Sequence, residues 1–533
     1  MIEKPVCIIG CGPIGLSFAL LLAEMKVPTL IVEQRFEPSP HPRSRFVDTN
    51  TMELMRLLGI EREVLATGLG PSWTSVNRWG RSLIDPEQTA IPSPTFHTVP
   101  RESSPCCPVM TCQDYVEREL LKAVDRSDLI ECRFGVRASI LLASDDVVEL
   151  SLEELDSGSK QRIKCDFLIG ADGPHSATRR FIDSVLESDP LPIYSQDIIF
   201  DADLSPYVGE RKGSLLYTAT SSGVSVFQPL DGQRRWRVQL FKSESEDLEH
   251  KEILDRIKQS VGDETVELSI QSVGHWQPIP GCTSKMKRGR VFLVGDAAHV
   301  ATPAGGMGNN IGFLGVRNLA WKLAYVLRGI APIEILETYQ EEVQPAALKR
   351  IGHGVSIGRA MSGLIRAIYA NTDRGAAIEA TSIYADYDGI ILGHETLSPL
   401  LALEPEVNSD LIDPIRDYQP LVRSGRRAPH IWLDAEKNVS LVDSFKFEYT
   451  LVAGCNVDSD GWNEVVENLN AKTPVSLVVL HECLAQEAYD RDGLVLVRPD
   501  GLVADHWMDY EIAPCDRSGR LASKLPDRNL FRP

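Results

Sequence analysis

Short apolar runs that end in glycine-rich turns recur along the chain, and each is followed by a segment whose apolar residues have helical spacing. Near the beginning, this pattern predicts a strand over residues 6–9, a helix over about 14–25 and a second strand over 29–32. Farther on, an apolar run at 291–294 stops at a Gly-Asp pair and leads through small residues into an amphipathic helix. Strands that alternate with helices in this way predict β-α-β units of an α/β fold.

The middle of the chain follows a different pattern. Residues 214–220, 224–229 and 236–241 alternate apolar and polar side chains with a period of two, which predicts β-strands with one buried face. A β-sheet apart from the α/β core is therefore expected within about 186–285. An insertion rich in proline and serine, 71–108, is expected to be irregular.

The first glycine-rich turn has the spacing Gly-x-Gly-x-x-Gly, with a strand before it and a helix after it. Glycine permits the tight turn and lets phosphate oxygens reach backbone N–H groups at the helix N-terminus. Glu33 follows the second strand, where a carboxylate can accept hydrogen bonds from ribose hydroxyls. The turn alone is a weak signal, but together with its strand and Glu33 it predicts an adenosine diphosphate site. The residues expected to contact that group are Gly10, Gly12, Pro13, Ile14, Gly15 and Glu33.

The Gly-Asp pair after the later strand suits the other half of a dinucleotide. The carboxylate of Asp296 can accept hydrogen bonds from the hydroxyls of a ribityl chain. The following helix begins in a glycine-rich turn, and its free N–H groups form a positive pole for a pyrimidine carbonyl. The residues of this pole are Gly306, Gly308, Asn309 and Asn310. A ribityl-isoalloxazine group fits both features, so the two sites together predict FAD.

A third apolar strand, at about 165–170, ends in a Gly-Ala-Asp-Gly turn at Asp172 and leads into a helix that carries Arg179. An isolated Asp-Gly pair usually indicates only a turn. Three strand-end motifs in this order, however, resemble the class A flavoprotein aromatic hydroxylases, the phenol hydroxylase and para-hydroxybenzoate hydroxylase kind. The resemblance implies that Asp172 also belongs to the FAD site.

The same resemblance implies roles for four further residues. Arg43 and Arg45 match arginines that this family places near the flavin and the nicotinamide. For Arg45, the alternative is a structural arginine that clamps the following helix. Gln113 matches a glutamine that touches the FAD pyrophosphate, and Pro303 matches a proline whose backbone carbonyl lies near the flavin and the substrate hydroxyl.

The substrate pocket is expected between the strands at 214–241 and the segment 300–303. The candidate lining residues are Tyr217, Phe227, Arg237 and Gln239. The predicted catalytic set is Arg45, Pro303, Tyr217 and Arg237. Because successive side chains of a strand point to opposite faces, about half of the lining candidates should lie on the wrong face.

Two later stretches, 425–430 and 496–501, resemble signatures of the larger phenol hydroxylase branch, whose extra C-terminal domain has a thioredoxin-like fold. The predicted fold is therefore α/β, with an FAD-binding Rossmann-like domain of the GR2 type, a β-sheet substrate domain and a C-terminal thioredoxin-like α/β domain. The predicted boundaries are 1–185 and 286–395 for FAD binding, 71–108 and 186–285 for the substrate, 396–430 for a linker, and 431–533 for the thioredoxin-like domain.

The resemblance implies a flavoprotein monooxygenase. FAD would accept hydride from NADPH or NADH, which binds transiently, and reduced flavin would capture O₂ as a C4a-hydroperoxide that hydroxylates an electron-rich aromatic carbon. A phenol fits best, and the insertion and extra domain favour a polyketide-derived or fused-ring phenol. A Baeyer-Villiger or epoxidising monooxygenase would use the same oxidant. A non-catalytic, flavin-binding regulatory protein is the alternative from another class.

Composition restricts the partners and the location. The chain has 533 residues and a net charge of −20, so its overall field repels nucleic acid and anionic membranes. No stretch reaches the ~20 apolar residues of a membrane helix. Eleven scattered cysteines, without Cys-x-x-Cys spacing, predict a reducing, cytoplasmic location and no metal site. The expected partners are a small aromatic substrate and O₂. The sequence does not decide between a monomer and a homodimer.

A single glycine and a group of three glycines need explanation. Gly315 stands in a predicted helix where relatives usually carry aspartate, and glycine there costs roughly 1 kcal/mol relative to alanine. Either a loosened first turn or a close approach to the flavin is expected at Gly315. Glycines at 352, 354 and 358 imitate a second dinucleotide turn, but no strand precedes them. A separate nicotinamide-binding fold is therefore not expected.

Overall fold

The computed structural model describes residues 2–39, 41–92, 102–188, 191, 194–242, 247–277, 279–370, 379, 388–404, 413–481 and 488–526. The fold is α/β, as predicted. The helices are α1 Pro13–Glu24, α2 Thr49–Leu57, α3 Glu61–Ala66, α4 Pro71–Thr74, α5 Gln113–Asp125, α6 Ala177–Phe181, α7 Ser205–Val208, α8 His250–Val261, α9 Met307–Leu327, α10 Thr338–Ala370, α11 Asp388–Leu392, α12 Ser459–Asn470 and α13 Arg517–Ala522. Within the described ranges, no helix is both long enough and apolar enough to span a membrane.

The first sheet contains eight strands of the described chain. They are β1 Ile2–Ile9, β2 Thr29–Glu33, β7 Ile130–Phe134, β8 Val136–Ala143, β9 Val148–Glu154, β10 Lys160–Gly170, β18 Lys287–Arg288 and β19 Val291–Leu293. Strands β19, β10, β1, β2 and β7 are neighbours in that order and run parallel, while β18 and β9 add antiparallel pairs.

The carboxyl ends of the parallel strands explain why three distant motifs cooperate. Gly10 follows β1, Glu33 ends β2, Asp172 follows β10 and Asp296 follows β19. Because β19, β10, β1 and β2 are adjacent and parallel, all four residues lie at the same edge of the sheet. Ligands of open α/β sheets bind at this edge.

A second sheet of seven described strands lies beside the first. In spatial order its strands are β16 Ser269–Trp276, β12 Tyr194–Asp201, β15 Arg235–Lys242, β14 Gly223–Pro229, β13 Leu216–Thr220, β4 Val76–Gly80 and β5 Thr89–Pro92. The strands predicted within 214–241 are confirmed, with ends shifted by one or two residues. The insertion at 71–108 is not irregular throughout, because it supplies β4 and β5 to the sheet edge.

In the described part of the C-terminal region, four strands form a sheet: β21 Tyr449–Ala453, β22 Val475–Val479, β23 Gly493–Val497 and β24 Val503–Met508. The spatial order is β22-β21-β23-β24, with the first pair parallel and the other pairs antiparallel. Helix α12 connects the parallel strands, and α13 follows β24. This is the expected thioredoxin-like arrangement.

Helices α9 and α10 pack closely and resolve both glycine questions. A Cβ atom on Gly315 would lie 3.5 Å from the hydroxyl of Tyr339 and 3.5 Å from Cγ1 of Val343. These are ordinary van der Waals distances, so the packing of α9 on α10 does not itself require glycine. Gly315 lies in the interior of α9 and faces α10, which is neither of the two expectations. Residues 352–358 lie inside α10, so they form helix and not a second dinucleotide turn.

Candidate active site

The glycine-rich turn after β1 lies directly against the loop after β10. A Cβ atom on Gly10, whose φ is +110°, would lie 2.3 Å from the backbone oxygen of Ala171. A Cβ atom on Gly15 would lie 2.1 Å from the backbone oxygen of Gly10. Any side chain at either position would collide with backbone, so the contact between the two strand ends requires glycine.

The N-terminus of α1 has no side-chain cap. Pro13 occupies the first turn, and beyond its own neighbours no described atom lies within 4 Å of a Cβ built on Gly12. Free N–H groups at a helix N-terminus bind phosphate, so this open turn fits a pyrophosphate. Ile14 packs toward the second motif, with its Cγ1 atom 3.1 Å from a Cβ built on Gly295.

Glu33 lies beside the same turn. Its carboxylate accepts hydrogen bonds from the backbone N–H of Cys11 at 3.1 Å and of Arg35 at 3.0 Å. Burial raises the pKa of Glu33, but the hydrogen bonds from Arg35 and Cys11 outweigh burial and lower the pKa overall. The carboxylate is therefore ionised at neutral pH, as an acceptor for ribose hydroxyls should be.

Two of the predicted cofactor residues use their side chains within the protein. The carboxylate of Asp172 accepts hydrogen bonds from the Ser176 hydroxyl at 2.5 Å and from the Thr178 backbone N–H at 2.9 Å. Gln113 donates to the carboxylate of Glu117 at 2.6 Å. Asp172 thus orders the loop after β10, whereas Gln113 is bonded within the first turn of α5. Direct contact of either side chain with FAD stays a prediction.

The carboxylate of Asp296 is available to a ligand. It lies in the short turn Gly295–Ala297, where it accepts no hydrogen bond from the described residues, whereas Arg179 contacts the backbone oxygens of the turn. Burial raises the pKa of Asp296, and the positive charges of Arg43 and Arg179 oppose that effect. An acceptor without a partner at this sheet edge fits the ribityl hydroxyls of FAD.

The N-terminus of α9 is also open. Gly306 has a left-handed backbone, with φ +63°, and no side chain caps the helix. The buried amide of Asn310 makes four hydrogen bonds, and these fix the start of α9 to the segment 46–51 and to Gly306. We therefore expect the backbone N–H groups of Gly308, Asn309 and Asn310, not the Asn310 side chain, to face the flavin.

Arg45 and Arg43 have different surroundings. The buried guanidinium of Arg45 donates hydrogen bonds to the second sheet, at the backbone oxygens of Ser214 (3.2 Å) and Pro229 (2.8 Å) and at Oε1 of Gln228 (3.1 Å). These contacts favour a structural role, in which Arg45 connects the segment before Phe46 to the second sheet, and none of the three contacts involves the following helix α2. Arg43 is exposed, and its charge acts on Asp296, so it is the better candidate for contact with FAD.

Arg45→Ala is expected to lower the free energy of unfolding by about 2 kcal/mol, because buried oxygens lose a charged hydrogen-bond donor. Arg43→Ala, a matched change at an exposed side chain, should leave unfolding unchanged and weaken FAD binding. Urea unfolding and flavin fluorescence titration compare the two variants. If Arg45→Ala is as stable as the wild type but its flavin is reduced slowly by NAD(P)H, the result would support a role for Arg45 beside the nicotinamide instead.

Pro303 lies between β20 His299–Val300 and α9. Its side chain is exposed, and its carbonyl accepts the N–H of Gly306 at 3.1 Å. Since a carbonyl oxygen has two lone pairs, the second lone pair could accept a substrate hydroxyl. Nearby His299 is fully buried, and burial lowers its pKa to about 4. The neutral imidazole therefore belongs to the packing around the site.

The second sheet turns one face toward the α/β core. The strand register places Tyr217, Gln239 and Asp197 on this face, and strand alternation adds Arg237. Phe227 has the opposite parity and packs in the core under α8, so its expected place in the pocket is wrong.

Buried polar side chains form a cluster on this face, of which the sequence pointed to Arg237 and Gln239 but not to His41 and Asp197. Arg237 donates to Asp197 at 2.5 Å, yet Nε of Arg237, Oδ1 of Asp197, Nε2 of Gln239 and Nε2 of His41 have no partner among the described residues. We call His41, Asp197, Arg237 and Gln239 the polar cluster. Buried polar atoms are nearly always hydrogen-bonded, so this cluster suits a polar ligand. Its members come from distant parts of the sequence, and no local motif could have connected them.

An apolar wall lies on the same side of the sheet. The rings of Trp79 and Tyr217 are stacked, with centroids 4.7 Å apart and planes 3° from parallel. The Tyr217 hydroxyl donates to the sulfur of Met361 at 3.3 Å. Val226 of the sheet and Leu364 of α10 complete this wall. The site thus combines an aromatic surface with a polar cluster beside a dinucleotide edge.

Comparison with known proteins identifies the family. A model described as FAD binding domain matches residues 3–351, and one described as aromatic-ring hydroxylase, C-terminal, matches residues 422–522. The chain belongs to the FAD-dependent aromatic-ring hydroxylases. As a member, it is an FAD-dependent monooxygenase, and FAD is its cofactor.

Similar proteins match over nearly the full length of this aromatic-ring hydroxylase. Aklavinone 12-hydroxylase RdmE of Streptomyces purpurascens is 29% identical, with 96% of each chain covered. Tetracenomycin A2 monooxygenase-dioxygenase of Streptomyces glaucescens is 29% identical, with 99% of this chain and 97% of the other covered. The structure of the flavin-dependent monooxygenase PieE in complex with FAD and substrate is similar at a TM-score of 0.88, with 25% identity and coverage of 98% and 99%.

Proposed function

We propose that this monooxygenase hydroxylates a fused-ring, polyketide-type phenol, with NADPH or NADH and O₂ as co-substrates. The observation that carries the proposal is the polar cluster beside the apolar wall on one buried sheet face. A flat aromatic ring system would pack against Trp79 and Tyr217. Its oxygen substituents would supply the hydrogen bonds that the polar cluster lacks.

The relatives support this substrate class. One is named a hydroxylase of aklavinone and another a monooxygenase-dioxygenase of tetracenomycin A2. Both match the chain over both family regions, including the C-terminal domain. Membership among aromatic-ring hydroxylases favours hydroxylation over Baeyer-Villiger or epoxidation chemistry, and the complete FAD edge argues against a non-catalytic regulatory protein.

The protein would hold FAD along the sheet edge and the substrate on the second sheet. The proposed FAD contacts are Gly10, Gly12, Pro13, Ile14, Gly15, Glu33, Arg43, Gln113, Asp172, Asp296, Gly306, Gly308, Asn309 and Asn310. Bound FAD supplies hydride transfer from NAD(P)H and activation of O₂. Arg45 positions the second sheet relative to this edge.

The polar cluster would orient the phenol. Nε of Arg237 and Nε2 of Gln239 would donate to a substrate oxygen, and the positive charge of Arg237 would favour its phenolate form. Oδ1 of Asp197 would accept a hydrogen bond from a second hydroxyl. The carbonyl of Pro303 would accept a hydrogen bond from the hydroxyl nearest the flavin. Burial on this face keeps water from the reacting carbon.

A panel of phenols of different sizes tests the substrate class. Single-ring phenols and fused-ring hydroxyquinones are incubated with the purified protein and either NADPH or NADH, while reductant loss and product mass are recorded. Fused-ring compounds should gain one oxygen atom and accelerate reductant oxidation. Hydroxylation of single-ring phenols alone would contradict the proposed class but not the family.

Arg237→Met is expected to raise the KM for the hydroxylated phenol about 10- to 150-fold, because charged hydrogen bonds contribute roughly 1.5–3 kcal/mol each. FAD content should stay at the wild-type level. In the single variant, the buried carboxylate of Asp197 is left unpaired, which could itself disturb the site. The double variant Arg237→Met with Asp197→Leu removes both charges, so a raised KM in it reports the loss of substrate recognition. Arg234→Met is the matched control on an exposed neighbour. An unchanged KM in both cluster variants would remove Arg237 from the substrate site.

A further inference from the structure

Two thiols meet at the glycine-rich turn. The sulfur of Cys11 lies 3.4 Å from the sulfur of Cys132. Cys11 stands between Gly10 and Gly12 and is 1% exposed, whereas Cys132 lies on β7 and is half-buried. The two positions are 121 residues apart, and the sheet order β1-β2-β7 brings them together across β2.

Cys11 is connected to the expected ribose ligand. Its backbone N–H donates to Oε2 of Glu33, which ends β2 between the two thiols' strands. Any movement of Cys11 therefore shifts both the phosphate-binding turn and the hydrogen bond that orients Glu33.

The two thiols differ in reactivity. The hydrogen bond between the two thiols lowers the pKa of Cys132, whereas the same hydrogen bond and burial raise the pKa of Cys11. The thiolate is the form that reacts with oxidants. Cys132, the more exposed thiol, is thus the nucleophile of the pair, and Cys11 is placed to react next.

We propose that Cys11 and Cys132 form a reversible disulfide with hydrogen peroxide as oxidant, and that this modification weakens FAD binding. A flavin monooxygenase releases hydrogen peroxide whenever it reduces O₂ without hydroxylating a substrate. The Cys132 thiolate attacks one peroxide oxygen and the O–O bond breaks. Hydroxide departs, and Cys132 becomes a sulfenic acid. The Cys11 sulfur then attacks the Cys132 sulfur, its proton leaves with the hydroxyl as water, and the S–S bond forms. In total, two thiols and one peroxide give one disulfide and two waters.

The bond requires the turn to move. A disulfide is about 2.0 Å long, so the sulfurs must approach by roughly 1.4 Å. Gly10 and Gly12 flank Cys11 and allow its backbone to shift. Since Cys132 is fixed in a strand, the turn moves toward β7 and away from the geometry that holds the pyrophosphate. We expect the Kd for FAD to rise about tenfold or more, equivalent to ~1.4 kcal/mol.

The experiment treats the FAD-loaded protein with hydrogen peroxide, followed by catalase and by alkylation of the remaining thiols. Peptide mass spectrometry identifies the Cys11–Cys132 cross-link, with fragmentation to distinguish Cys11 from Cys7. Fluorescence titration gives the Kd for FAD before oxidation, after oxidation and after dithiothreitol. Cys132→Ser removes one partner, and Cys515→Ser removes an exposed thiol as the control.

The expected result is a cross-link and a weaker Kd in the wild type and in Cys515→Ser, both reversed by dithiothreitol and both absent in Cys132→Ser. A missing cross-link would overturn the proposal, as would a cross-link that leaves the Kd for FAD unchanged. Because the cross-link is measured by mass and FAD binding by fluorescence, neither outcome depends on which phenol is hydroxylated.

Discussion

Arg498→Met is expected to lower the free energy of unfolding by about 3–5 kcal/mol, because the buried carboxylates of Glu342 and Asp500 lose the cation they share and, among the described cations, only Lys322 remains paired with Glu342. The fully buried Arg498 donates to both carboxylate oxygens of Glu342, at 2.8 and 3.0 Å, and also to Asp500. Glu342 belongs to α10, whereas Arg498 directly follows β23 of the thioredoxin-like domain. The ion pair therefore fastens the C-terminal domain to the helices beside the FAD site.

Urea unfolding measures this effect against a matched control. Burial raises the pKa of Glu342, but Arg498 and Lys322 outweigh burial and hold the carboxyl ionised. Arg234 also pairs with an aspartate, Asp201 at 2.7 Å, but it does so on the surface. Arg234→Met should therefore change stability little. Equal losses in the two variants would contradict the role of Arg498, and Glu342→Gln provides a second test of the same pair.

Asp296→Ala is expected to raise the Kd for FAD about 10- to 150-fold, because a charged hydrogen bond contributes roughly 1.5–3 kcal/mol. The carboxylate has no hydrogen-bond partner within the described chain, so its removal should leave the fold intact. Asp296→Asn keeps the shape of the side chain and one acceptor oxygen, so its Kd for FAD should rise less than that of Asp296→Ala. Flavin fluorescence titration gives the Kd, and circular dichroism checks the fold. Wild-type affinity in both variants would place the ribityl chain elsewhere.

The FAD edge was predictable because each of its parts depends on neighbouring residues. A strand, a glycine turn and a helix follow one another around Gly10, and the same local order surrounds Asp172 and Asp296. The rule that parallel strands end at one edge then brings the three turns together. No knowledge of distant contacts is needed for this step, and the register of β19, β10 and β1 confirms it.

Side-chain direction was not predictable in the same way. The family pattern locates Arg45, but only the fold shows that its guanidinium points to Gln228 and the second sheet. Strand alternation assigns side chains to two faces of the sheet but does not tell which face borders the substrate pocket. Phe227 lies on the face that packs against α8, away from the pocket. The polar cluster combines a loop residue, His41, with strand residues such as Asp197, and only tertiary structure brings these together.

The two C-terminal signature stretches acquire a physical meaning in the structure. Arg427 pairs with the buried carboxylate of Glu53 in α2, and Arg498 pairs with Glu342 in α10. Arg498 therefore connects the thioredoxin-like domain to α10, and Arg427 connects the segment just before that domain to α2. Sequence resemblance located the stretches, but their interdomain role depends on partners more than 150 residues away.

Isotope labelling tests the central claim most directly. The FAD-loaded protein is supplied with NADPH or NADH and a fused-ring phenol under ¹⁸O₂ in ordinary water, and in parallel under ordinary O₂ in H₂¹⁸O. The account predicts that the product gains one ¹⁸O atom from the gas and none from water, with one reductant consumed for each product. Product oxygen that comes from water, or reductant oxidation that yields only hydrogen peroxide with every phenol tested, would contradict it.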